Sequence, residues 1–201
     1  MSEAKIAKTA IIFPGVSFGK SVVVEDYCVI GIPSNNTKCE KTVIGDGAII
    51  RSGTYIYAGN IIGNNFQTGN KANIRELNEI GDNVSIGTLT VVEHHVVIEN
   101  EVRIHTQAFI PEYSRLRSGC WIGPNVVLTN SSYPKHPNAK ENLKGVVVGN
   151  NAKIGANSTL LPGVIVGANS LVGAGSVVTK NVSKGIVVAG TPAKVLRNID
   201  Y

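Results

Sequence analysis

Aromatic residues make up only 5% of this 201-residue chain, which holds three cysteines, one methionine and one tryptophan. So few rings suit a narrow interior filled by Ile, Val and Leu. No Lys/Arg run interleaved with aromatics is present, so a nucleic-acid partner is not expected. Cys28, Cys39 and Cys120 have no metal-like spacing, and an odd number suits a reducing compartment. Cys28 and Cys120 read as small core fillers, and Cys39 as an exposed loop residue. No stretch of 18 or more apolar residues occurs, and Met1–Lys5 opens no signal-peptide core, so the expectation is a cytoplasmic chain with no membrane partner.

What is present is a comb. Ile44, Ile50, Ile56, Ile62, Ile74, Ile80, Ile86, Val92, Ile98, Ile104, Ile110, Leu116, Ile122 and Leu128 recur at every sixth residue, and only Thr68 breaks the series with a polar side chain. A helix returns to one face every 3.6 residues and a strand every two. A sustained period of six fits neither as one long element. It fits a chain that makes a short strand, turns a corner and repeats, burying one aliphatic residue per step; three steps close an 18-residue coil of a parallel β-helix. The abundant glycine, 22 residues, suits its corners. The expected fold is therefore all-β, a single domain over residues 1–201.

An earlier run (Ile6, Ile12, Phe18, Val24, Ile30) and a later one (Val148, Ile154, Leu160, Val166, Val172, Val178) extend the comb. Between Ile30 and Ile44, and again between Leu128 and Val148, the step is not a multiple of six. Each break predicts an insertion, Gly31–Val43 and Thr129–Val147, both rich in Asn, Pro, Ser and Lys. Insertions in a repeat protein usually carry partner contacts. A short C-terminal segment of about residues 181–201 follows the last coil. The formal charge is +5, and Lys180, Lys184, Lys194 and Arg197 cluster toward this end, either as a solvated surface or as partners for the phosphates of a small ligand.

Ile44-Gly45-Asp46, Ile62-Gly63-Asn64-Asn65, Ile80-Gly81-Asp82-Asn83 and Val166-Gly167-Ala168-Asn169 resemble the hexapeptide repeat of the left-handed β-helix acyltransferases. Val188-Ala189-Gly190-Thr191-Pro192-Ala193-Lys194-Val195 resembles the closing segment of the acetyl-CoA enzymes in that family. Trp121-Ile122-Gly123-Pro124-Asn125-Val126-Val127-Leu128-Thr129-Asn130 with Tyr133-Pro134-Lys135 is similar to a stretch of the nucleotide-sugar N-acetyltransferases. The resemblance implies the left hand of the coil, a homotrimer, and acetyl transfer from acetyl-CoA to an amino sugar on UDP or dTDP, feeding polysaccharide synthesis. It implies no metal. The γ-type carbonic anhydrases share the helix and bind zinc through histidines that include a His-x4-His pair, a spacing that His94, His95, His105 and His136 do not show. Transfer to a hydroxyl, and a non-catalytic scaffold, are the alternative readings.

Residues 18 apart stack on successive coils at roughly 4.8 Å. One column is Glu76, His94, Glu112 and Asn130, beside Arg75, Glu93, Pro111 and Thr129. Arg75, Glu76, His94, Glu112 and the loop residue Tyr133 are the candidates for holding an amino sugar and its phosphates, although a solvated edge would also be polar. A second corner column is Gly69, Gly87, His105 and Gly123, beside Lys71, Leu89, Gln107 and Asn125. His105 stands where neighbouring coils have Gly, and hydroxyl transfer needs a base of its kind. His105, Gln107 and Asn130 are the catalytic candidates; the relatives commonly have Asn in place of Gln107, and His where Asn70 stands. His95 reads as a surface histidine pointing away from His94. For acetyl-CoA the candidates are Gly155, Ala156, Gly173 and Ala174 along the pantetheine arm and Lys180, Lys194 and Arg197 at the phosphates.

Overall fold

A computed structural model describes residues 3–35, 37 and 40–200. The reading of Cys39 lies outside the described residues. Two-residue strands recur every six residues and assemble into three sheets of eleven, nine and eight strands. Successive strands of the chain visit the sheets in rotation, so the coil is a three-sided parallel β-helix. Its register is the 18-residue step: Asn73 pairs with Val91, Gln67 with Ser85 and Glu79 with Val97. Below, the first face is the sheet containing Gln67–Thr68 and Arg103–Ile104, the second contains Asn73–Ile74 and Phe109–Ile110, and the third contains Glu79–Ile80 and Arg115–Leu116. The first, second and third corners follow those faces in chain order.

The comb is the core. Ile50, Ile56, Ile74, Val92, Ile110, Leu116, Ile122 and Leu128 are wholly buried. Thr68 stays inside because its hydroxyl accepts a hydrogen bond from Arg51 N at 2.9 Å and shares one with Thr54 Oγ1 at 3.2 Å. Among the described residues only the first coil departs from the pattern: Ile6 is 42% exposed, with no described coil beneath it. Cys28 and Cys120 are buried, and burial pushes the Cys120 thiol up to about 12, which makes it inert as a nucleophile at neutral pH.

The corners use glycine in two ways: Gly47, Gly53, Gly59, Gly119, Gly163 and Gly175 take up left-handed backbone, with φ between 68° and 79°. Glycine after the comb position is not there to allow a left-handed backbone; a Cβ on Gly69 or Gly87 would fall on the backbone of the next coil at Thr88 or Thr106. The left-handed residue lies two positions later: Lys71, Leu89, Gln107 and Asn125 all have φ between 55° and 58°. There each amide can reach the preceding coil, as Gln107 N does to Thr88 O at 2.9 Å.

Both departures from the six-residue phase leave the coil at the same place. The first connects Val29–Ile32 of the second face to Thr42–Ile44 of the third, and the other connects Val127–Leu128 to Val147–Val148. Both loops therefore spring from the second corner. The chain closes with Ile186–Gly190 and Ala193–Asn198, an antiparallel pair on the first face.

Candidate functional site

The second corner carries the stacked column of Glu76, His94, Glu112 and Asn130. Behind it, buried Asn60 and Asn78 form a ladder: Asn60 Nδ2 donates to the carbonyls of Tyr57 and Arg75, and Asn78 Nδ2 donates to Arg75 O at 2.8 Å. These bonds fix the backbone from which Tyr57 and Arg75 project. The Arg75 guanidinium lies over the Tyr57 ring, 4.9 Å from its centroid, and reaches Glu76 Oε2 at 2.9 Å and Glu93 Oε2 at 3.5 Å.

Glu76 differs from its expected role. Its side chain is fully buried, so it does not line the open edge. Burial pushes its carboxyl up, but the hydrogen bond from Arg75, its own backbone amide and the Ser34 hydroxyl outweigh that and hold it at about 2. Glu76 thus anchors Arg75 from within and ties the first insertion to the corner through Ser34. Glu93, half-buried, is raised above the ordinary carboxylate range by burial; Arg75 opposes this and Glu112 adds to it.

Toward the upper coils the column opens. Asn130 Nδ2 donates to Glu112 Oε2 at 2.6 Å, and Glu112 Oε1 lies 3.7 Å from His94 Nε2. His94 and Glu112 keep about a fifth and a quarter of their side-chain surface exposed. His95 does not point away: its Nδ1 is 2.8 Å from Nδ1 of His94. Tyr113 closes on both rings, with centroids 6.2 Å from His94 and 5.7 Å from His95. The second insertion returns against this edge, Lys144 N donating to Asn130 O at 2.8 Å, and encloses a cavity of about 270 Å³ lined by Ser131, Tyr133, His136 and Lys144 among others.

His105 and Gln107 lie elsewhere, on the first corner. The catalytic candidates are therefore not brought together within one chain, because the second face separates Asn130 from His105. The His105 ring packs on Trp121 with centroids 4.6 Å apart, and its Nε2 is buried without a hydrogen-bond partner among the described residues. Burial, then the charge of Arg103, lowers its pKa, so the ring stays neutral to lower pH than an ordinary histidine. Gln107 is exposed in its left-handed turn.

The coenzyme candidates divide as well. Gly155, Gly173 and Ala174 line an apolar cleft of about 450 Å³ on the first face with Trp121, Lys153 and Leu171; Ala156 is outside it. A Cβ at Gly155 would meet Ala174 of the next coil, so the coil itself requires that glycine. The three cations do not form one patch. Lys180 follows the second face, Lys194 stands near the tip of the closing hairpin opposite Ala189, and Arg197 at its far end pairs with Asp200 at 2.9 Å.

Residues 145–180 match the family described as Bacterial transferase hexapeptide (six repeats). Residues 145–180 thus carry bacterial transferase hexapeptide repeats. The hexapeptide chain is 30% identical over 196 residues to the bifunctional protein GlmU of Clostridioides difficile (strain 630), covering 98% of itself and 40% of that protein. It is 29% identical over 180 residues to GlmU of Listeria monocytogenes serotype 4a (strain HCC23), covering 90% of itself and 36% of the relative. It thus spans about two fifths of the length of such curated relatives. Among solved structures, the acetyltransferase domain of PglB from Neisseria gonorrhoeae FA1090 is 18% identical, with 93% of this chain and 57% of that one covered and a TM-score of 0.44. PerB from Caulobacter crescentus, solved with CoA and GDP-perosamine, is 20% identical, with 98% and 58% covered and a TM-score of 0.30. Among the described residues no helix is long and apolar enough to cross a membrane.

Proposed function

We propose that the hexapeptide chain is an acetyl-CoA-dependent N-acetyltransferase whose acceptor is the amino group of a UDP- or dTDP-linked amino sugar. The observation that carries this reading is the convergence at the second corner. Both insertions leave the coil there, and it places Glu93 beside a guanidinium that Glu76 already pairs from within, with Glu112 one coil above facing His94. Carboxylates in excess of cations suit an ammonium or amine better than a phosphate. A neutral amine attacks a thioester with little activation, so positioning and removal of one proton are the main demands. The nucleotide then falls to Tyr133 and the cavity of the second insertion. The donor thioester is assigned to the apolar cleft of Trp121, Leu171, Gly173 and Ala174, with Lys180, Lys194 and Arg197 as separate candidates for its phosphates.

A homotrimer completes this reading, since donor cleft and acceptor corner are on different sides of one chain. The third face supports it with outward aliphatic residues: Ile61 is 59% exposed and Ile165 47%. Incubation with acetyl-CoA and a panel of UDP- and dTDP-linked amino sugars, following released thiol, tests the proposal. Turnover of hydroxyl acceptors but of no amine would overturn it.

One observation favours a second reading, O-acetylation of a small hydroxyl acceptor. His105 stays neutral to lower pH than an ordinary histidine, and its Nε2, buried against Trp121 and without a hydrogen-bond partner among the described residues, would serve a hydroxyl as base once the ring turned outward. If neither transfer occurs and acetyl-CoA leaves the melting temperature unchanged, a non-catalytic scaffold is the remaining reading.

A further inference from the structure

The first face carries a row of polar side chains with no partners inside the fold. Gln67, Ser85 and Arg103 are the outward residues of three successive strands, paired in register as Gln67 with Ser85 and Ser85 with Arg103. They therefore stack at roughly 4.8 Å. Among the described residues none of the three makes a side-chain hydrogen bond or an ion pair. Arg103 differs in this from Arg51, Arg75, Arg117 and Arg197, each of which is held by a carboxylate. Two grooves flank the row. The one toward the third corner, about 340 Å³, is bordered by Asn65, Asn83 and Glu101. The one toward the first corner, about 210 Å³, is lined by Gln67, Ser85, Arg103 and Thr106 among others, and by no carboxylate. Further up the same column stand Trp121, Lys153 and Leu171, which line the apolar cleft. The polar row ends where that cleft begins.

Each of these side chains can donate: the guanidinium, the carboxamide and the two hydroxyls. A planar guanidinium meets two oxygens of one phosphate at once. The row spans two coil steps, about 10 Å, so Ser85 and Gln67 lie within reach of a second phosphate or a sugar hydroxyl on the same ligand. The second corner offers the reverse, Glu93 and Glu112 around a guanidinium that is already paired. A nucleotide-linked amino sugar carries both an amine and a diphosphate, and the two regions divide along that line. We infer that Gln67, Ser85, Arg103 and Thr106 form a diphosphate-binding strip on the first face, with Arg103 as its charge. The inference rests on the proposed function for its occupant. In a homotrimer, an acceptor held at the second corner of one copy lays its diphosphate on the first face of the next. Coenzyme A carries the same group, and a coenzyme running down the column from Trp121 would bring its diphosphate to the same donors. The chemistry is shared, and the experiment separates the two sources.

Calorimetric titration of the whole chain with UDP and, separately, with coenzyme A tests this in the wild type, Arg103→Gln and Arg103→Lys. Arg103 is exposed, so both variants are expected to keep the wild-type melting temperature. UDP should bind at least about tenfold more weakly to Arg103→Gln, with part of the loss restored in Arg103→Lys, while coenzyme A binds all three alike. Added salt should weaken UDP binding more in the wild type than in Arg103→Gln, because a charge contact is lost. Weakened binding of coenzyme A with UDP unaffected would support the strip with the coenzyme as its occupant. UDP and coenzyme A binding to Arg103→Gln as tightly as to the wild type would overturn it, and so would a wild-type chain that binds neither. A wild-type chain that binds UDP through Arg103 but acetylates no amine would support the strip and remove the reading of function.

Discussion

The second and third corners are built from the same repeat, yet their polar residues do opposite things. At the third corner Asp46, Asn64, Asp82 and Asn100 stack on successive coils, and each side chain accepts a backbone amide of the coil below. Lys20 N donates to Asp46, Asp46 N to Asn64, Asn64 N to Asp82, and Asp82 N to Asn100. That ladder closes on itself and asks for nothing from outside. At the second corner the side chains bond chiefly to one another and turn to the edge: Arg75 to Glu76 and Glu93, Asn130 to Glu112, His94 to His95. Polarity at a corner is therefore no evidence of a site by itself. The direction in which its hydrogen bonds run is what separates the two.

The comparison can be broken in graded ways. The largest effect is expected from Glu112→Ala, which leaves His94 without its carboxylate; amine acetylation should fall about 100-fold while the melting temperature moves little. Steady-state kinetics beside thermal melts would show it, and comparable losses of both would place Glu112 with the structural ladder. Removing the buried anchor should have the converse signature. Glu76→Ala is expected to destabilise by about 3 kcal/mol in urea titration, because Arg75 loses its buried partner. The wild-type contribution of Glu76 is present above pH 4.5 and is lost as pH falls toward about 2, since the folded carboxyl is held there. At the third corner, Asn64→Ala removes an acceptor from Asp46 N, and should cost about 1 kcal/mol with kcat unchanged. The smallest effect is expected at Arg197→Ala, where a guanidinium shared between Asp200 and the coenzyme phosphates should raise KM for acetyl-CoA only about twofold.

The comb was legible because a six-residue period has only one simple solution, and Thr68 shows that even its polar tooth obeys it through hydrogen bonds. The column of Glu76, His94, Glu112 and Asn130 was legible from the 18-residue step alone. Burial along that column was not. Glu76 and Glu112 occupy equivalent positions, but Ser34 and Arg75 close over only the first of them. Counting one coil back from Arg75 would have found Tyr57, and one coil up from His95 would have found Tyr113. His95 was missed because strand alternation does not apply in a left-handed turn, where the backbone sets the side-chain direction. His105 and Asn130 were joined as one catalytic group although their columns belong to different corners. The comb records stacking, not which side of the prism faces a ligand.

The most direct measurement is calorimetric binding of a UDP- or dTDP-linked amino sugar to the wild-type chain and to its Glu112→Gln and His105→Gln variants. Binding lost at least about tenfold in Glu112→Gln and retained in His105→Gln is the predicted result. Binding retained in Glu112→Gln and lost in His105→Gln would move the acceptor to the first corner and contradict the account.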